Sequence, residues 1–145
     1  MKLFVFLSIF ISLVYGAQID EFAKSVSYSR DYSASIKTAK EQKKMVMLVV
    51  VSDYCPWCKK FEHKTLEDSI VKASINKNFT PLVVDKLADK DSFPQEFASK
   101  LIPAVYFIDP SSQKSVHEIF AYMKKDEFLQ NTEKALNVFK QKQQK

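Results

Sequence analysis

The chain has 145 residues, 46% of them hydrophobic and 27% charged, which suits one compact domain and excludes a disordered tail. Its single glycine, Gly16, excludes collagen-like, glycine-linker, P-loop and dinucleotide-fingerprint readings. The net charge of +5 comes from lysines scattered among acids, with Arg30 the one arginine, which speaks for a solvated surface and against a nucleic-acid partner.

Met1 and Lys2 open the chain with positive charge, Leu3 to Tyr15 form an apolar run broken only by Ser8 and Ser12, and the small residues Gly16 and Ala17 follow. This pattern reads as a secretory signal peptide over residues 1–16, cleaved after Gly16, with cleavage after Ala17 as the second choice. The apolar run is well short of the roughly 20 residues that span a bilayer, so export is favoured over a membrane anchor. Export leads to the periplasm or the exterior, where disulfides persist. Residues 17–30 form an N-terminal segment, and the domain proper occupies residues 31–145.

From Asp31 to Lys44, Tyr32, Ile36 and Ala39 recur at helical spacing, and the Val-rich run Met45 to Val51 reads as a buried central strand. Beyond a Cys motif, Trp57 and Phe61 stand four apart. Thr65 to Asp68 resembles a capping box ahead of Leu66, Ile70, Val71 and Ile75, so two helices or one bent helix are predicted. Phe79 to Asp85 is a second strand, and Pro94 to Lys100 a short helix. Ala104 to Ile108 is a third strand, Asp109 to Ser112 a turn, and Val116 to Ala121 the hairpin partner. From Asp126 onward Phe128, Thr132, Ala135 and Phe139 share one helical face, with Leu129 and Leu136 beside them, and Gln141 to Lys145 is a frayed tail. The order requires a right-handed crossover between the first two strands and a closing hairpin. The fold class is α/β, a central mixed β-sheet flanked by helices.

The two cysteines stand in Cys55-Pro56-Trp57-Cys58, after a predicted strand and at the start of a predicted helix. Free N–H groups and the dipole at a helix start favour a thiolate, so Cys55 is the expected exposed, low-pKa nucleophile. Cys58, one turn further in, is the buried thiol that resolves the mixed disulfide. Lys59 and Lys60 are read as solvated lysines that could add to thiolate stabilisation. A purely structural bridge is disfavoured, because closing a four-residue loop contributes only about 2 kcal/mol. Metal binding is the other alternative, with His63 beside the cysteines, but closed zinc sites take four ligands and His117 lies on a different element, so no metal ligand is assigned.

The strand Met45 to Ser52 running into the Cys motif, the strand ending Val83-Val84-Asp85, and Leu101-Ile102-Pro103-Ala104 ahead of a third strand resemble the thioredoxin superfamily in that order. The resemblance covers about Asp31 to Lys140 and is nearest to small exported thioredoxin-like proteins. It implies a thioredoxin-like fold with a cis-proline at Pro103 facing the cysteines. It also implies pairing of the Ile102 backbone with an extended substrate segment, and a redox-active thiol-disulfide oxidoreductase that needs no bound cofactor. Pro56, lacking an N–H, leaves Trp57 and Cys58 to supply donors to the thiolate, and Tyr54 and Trp57 form a docking rim. For Tyr54, ordinary packing is an equally good reading.

Where thioredoxins carry a buried Asp six residues before the first Cys, this chain has Val49, with Pro81 in the place expected for the partner lysine. Glu62 or a water is then the candidate proton acceptor for Cys58. The expected partners are exported proteins with thiols or disulfides and a membrane redox partner, the expected state a monomer. A non-catalytic metal carrier or docking module using the two cysteines as ligands is the alternative.

Overall fold

Residues 45–51, Met-Val-Met-Leu-Val-Val-Val, carry no polar side chain, and all seven are buried. Such a run is stable only where both faces of a strand are covered. The computed structural model describes residues 14–144 and places this strand, β1 (Met45–Val51), inside the sheet. Among the described residues four strands form one sheet in the order β2-β1-β3-β4. β2 (Phe79–Asp85) runs parallel to β1, whereas β3 (Ala104–Asp109) pairs antiparallel with β1 and with β4 (Lys114–Phe120).

Alternation along β1 separates two cores. Met45, Met47, Val49 and Val51 face one that also holds residues from α1 (Val14–Val26), α3 (Pro56–Phe61), α4 (Ser69–Asn78) and α5 (Lys125–Gln143). Val46, Leu48 and Val50 face Tyr32, Ile36 and Ala39 of α2 (Tyr32–Gln42), together with Phe93 and Phe97. On α5, Phe128, Thr132, Ala135 and Phe139 are the buried stripe that the periodicity predicts, and Leu129 and Leu136 pack beside it.

Several expectations change. Residues 17–30 contribute to α1, whose Ile19, Phe22, Ala23 and Val26 are buried in the first core. The expected cleavage junction after Gly16 falls within this helix, and the apolar leader up to residue 13 lies outside the described residues. Thr65 caps nothing: its hydroxyl donates to the Met123 carbonyl at 2.7 Å, and Asp68 is the N-cap of α4, accepting from the Ile70 and Val71 N–H groups. Backbone N–H donation to Asp68 holds its carboxyl below the usual range. The predicted bend is a π-helical turn over Glu62–Leu66, in which the Glu67 N–H donates to the Glu62 carbonyl at 2.9 Å. The predicted helix at Pro94 shrinks to one 3-10 turn over Gln95–Phe97, and α5 continues to Gln143 where a frayed tail is expected. No helix among the described residues is long and apolar enough to cross a membrane.

Candidate active site

Cys55 leaves the end of β1 through Ser52, Asp53 and Tyr54, and this short connection is tied down at both sides. The Cys55 N–H donates to the Ser52 carbonyl at 3.1 Å, and the Asp53 N–H to the Asp85 carboxylate at 3.1 Å. Asp85, buried at the end of the neighbouring strand β2, also accepts the Leu87 and Ala88 N–H groups, each at 2.8 Å. One carboxylate thus fixes the ends of both parallel strands relative to each other.

Cys55 is the N-cap of α3 in an extended conformation, and Pro56 begins the helix, where a missing N–H costs nothing. The Cys55 Sγ accepts the Cys58 N–H at 3.1 Å. Cys55, expected to be exposed, is half-buried, while Cys58, expected to be buried, is 0% exposed and bonded to it in a disulfide. Opposite stands the Ile102–Pro103 peptide, which is cis, with the Ile102 carbonyl oxygen 3.8 Å from the Cys55 Sγ. The structure therefore gathers Cys55, Cys58, Ile102 and Pro103 in one place. Tyr54 and Trp57, 73% and 56% exposed, stand beside them.

One turn beyond Cys58, α3 passes into the π-helical turn that carries a buried carboxyl, Glu62. Val49 lies beside Val83 on β2, and Pro81 beside Met47, so no carboxylate or lysine enters the sheet under the cysteines. Glu62 is 1% exposed on the π-helical turn, and its N–H donates to the Cys58 carbonyl. Its Oε2 accepts Lys59 Nζ at 3.2 Å, Lys59 also lies 3.6 Å from Asp53, and its Oε1 has no hydrogen-bond partner among the described residues. Burial pushes the Glu62 carboxyl up, and the Lys59 ammonium offsets part of that rise. Glu62 also lines a cavity of about 430 Å³ shared with Glu21, Phe22, Lys59, His63 and Glu67.

Lys59 is thus an ion-paired residue rather than a freely solvated one, and Lys60 lies over two aromatic rings, those of Trp57 and Tyr122. Tyr122, which no sequence motif marks, follows the last strand. Its partner Trp57 lies 5.7 Å away between ring centroids, and the two line a groove of about 310 Å³ with Ile102 and Ala121. Among the described residues Ser27, Lys43, Gln113 and Ala121 have positive φ, and of these only Ala121, at φ 69°, lines this groove. Among the described residues no three His, Cys, Asp or Glu side chains gather into a metal-holding group. His63 instead meets Glu67 and His117 meets Asn131, each at 3.0 Å.

The sequence profile described as thioredoxin-like matches residues 27–110, more than half of the chain. No curated protein matches this sequence. Among solved structures, a DsbH oxidoreductase superposes with a TM-score of 0.65 at 19% identity, covering 75% of this chain and 83% of its own. The oxidised DsbD C-terminal domain of Neisseria meningitidis gives 0.61 at 20% identity, covering 74% and 98%. A thioredoxin from Thermus thermophilus gives 0.57 at 22% identity, covering 77% and 85%. At these identities the likeness is one of fold.

Proposed function

The chain belongs to the thioredoxin-like family, and on that premise we propose that it is a periplasmic thiol-disulfide oxidoreductase acting on exported proteins through Cys55 and Cys58. The observation that carries the reading is the Cys55–Cys58 disulfide at the start of α3, with the outer sulfur beside the cis Ile102–Pro103 peptide. The location rests on the leader at residues 1–16. The fold shared with a DsbH oxidoreductase and a DsbD C-terminal domain supports the exchange chemistry.

In the reducing direction the Cys55 thiolate, held by the Cys58 N–H, attacks one sulfur of a substrate disulfide. The substrate S–S bond breaks, one substrate thiolate leaves, and a mixed disulfide joins Cys55 to the other sulfur. Cys58 then gives its proton to Glu62 and attacks the Cys55 sulfur, which releases the second substrate thiol and restores the disulfide of the described state. Two electrons pass from the protein dithiol to the substrate. The oxidising direction is the same path reversed, and a membrane redox partner resets the pair after either. The direction depends on which thiolate is the more stable. The Ile102 backbone and Pro103 align the substrate segment, and Tyr54, Pro56 and Trp57 form the rim that meets it.

The alternative, a metal carrier using the cysteines as ligands, finds less support in a site whose nearest histidine, His63, is engaged with Glu67. The test of function is a redox titration of the protein in glutathione and dithiothreitol buffers, read by Trp57 fluorescence. A reversible two-electron transition between about −270 and −120 mV is expected, the span of exchange catalysts. A potential below about −300 mV would mark a structural bridge and contradict the function.

A further inference from the structure

We propose that Lys60, held over the Trp57 and Tyr122 rings at the mouth of the groove, selects substrate segments with an acidic residue next to the reactive cysteine. This inference rests on the exchange function and names its substrate class.

Lys60 follows Trp57 by three positions on α3, so the two side chains share a helix face. The Lys60 Nζ lies 4.7 Å from the Trp57 ring centroid and 4.8 Å from that of Tyr122, close enough for a cation–π contact with each. Tyr122 reaches Trp57 because Ala121 turns the chain through a positive φ just after β4, while the Ala121 N–H donates to the Pro103 carbonyl at 2.9 Å. The cysteine pair, the cis-proline peptide and the ammonium group are thereby linked through one short stretch of backbone.

Among the described residues no carboxylate pairs with Lys60, whereas its neighbour Lys59 has two, Asp53 and Glu62. Aromatic faces fix and partly dehydrate an ammonium group without neutralising it. The adjoining groove, lined by Trp57, Ile102, Ala121 and Tyr122, is apolar. An extended segment laid along Ile102 would place its cysteine at Cys55, an apolar residue in the groove, and a flanking Asp or Glu at the unneutralised charge. Charge complementarity of this kind acts on encounter and on register.

The test uses two synthetic peptides that differ only in Glu or Lys beside a single cysteine, each capped as its 2-pyridyl disulfide. Attack by reduced Cys55 on the peptide sulfur breaks that bond and releases 2-thiopyridone, whose absorbance is followed. The Glu peptide should react about fivefold faster than the Lys peptide at low salt, the scale of one exposed ion pair. That ratio should shrink toward one in 1 M salt, where the screening length falls to about 3 Å. Lys60→Gln should bring it close to one and Lys60→Glu should invert it. Lys77→Gln, which removes the same charge from the last turn of α4, should leave it unchanged. Using a ratio cancels any effect of Lys60 on the thiolate of Cys55 itself. Equal rates for the two peptides, or a ratio indifferent to Lys60, would overturn the selectivity while leaving exchange intact. Reaction with neither peptide would overturn the exchange function and the selectivity together.

Discussion

Replacing Cys55 by serine should reduce disulfide reductase activity to background, a loss of at least about 10⁴-fold, with the fold retained. The magnitude follows from removing a nucleophile for which no other group can stand in. Among the described residues the two cysteines have only each other, and the sulfur beside the Ile102 carbonyl belongs to Cys55. A serine hydroxyl at the same N-cap position can still accept the Cys58 N–H, so α3 keeps its start. The lost bridge closes a very short loop and contributes only about 2 kcal/mol, so the variant should remain folded at 25 °C. Activity is measured as insulin reduction with dithiothreitol, and folding by circular dichroism. A folded variant with substantial activity would place the nucleophile elsewhere.

Replacing Glu62 by glutamine should slow the resolving step about 10²-fold while leaving the first attack by Cys55 unchanged, the scale of one general-base contribution. Rapid acid quench separates the two steps, because the mixed disulfide should persist in the variant. The stability consequence has a definite sign. Burial raises the folded carboxyl above its unfolded value, so within that window the native chain holds a proton that the unfolded chain has released. Stability supplied by the protonated form is fully present below the unfolded pKa and is lost as pH rises through the folded one. Glutamine does not titrate. The oxidised variant, compared with the oxidised parent, should therefore gain stability as pH rises from 4 to 8 in denaturant melts. A relative loss over that range, or an unchanged resolving rate, would remove Glu62 from the proton path.

The parts of the molecule that were legible in its sequence are those where one signal dominates. Met45 to Val51 and Phe79 to Asp85 are apolar runs that can only be buried strands, and both have the expected limits. The Phe128, Thr132, Ala135 and Phe139 stripe is likewise a period that only a helix produces. The cysteines stand out as a close pair just after a strand, whereas the cis form of Pro103 was legible only through the resemblance of Leu101-Ile102-Pro103-Ala104 to the thioredoxin superfamily.

The rest was hidden for reasons that are physical rather than accidental. Ile19, Phe22, Ala23 and Val26 carry a helical spacing, but it follows directly on the apolar leader and merges with it. Both Thr65 and Asp68 are good capping residues, and the choice between them is made by a tertiary contact: the Thr65 hydroxyl is taken by the Met123 carbonyl. The π-helical turn that carries Glu62 inward, and the positive φ at Ala121 that carries Tyr122 to Trp57, have no glycine or proline to announce them. Non-local packing writes these features, and a single sequence does not display it.

In the proposed mechanism Cys55 forms the covalent link to substrate and Cys58 releases it. The most direct measurement is mass spectrometry of the Cys58→Ser protein after reaction with a disulfide-bonded protein such as oxidised insulin. An adduct should accumulate, reversible by dithiothreitol, with fragments that place the substrate sulfur on Cys55. A Cys58→Ser protein that forms no adduct under conditions where the parent turns over would contradict that mechanism.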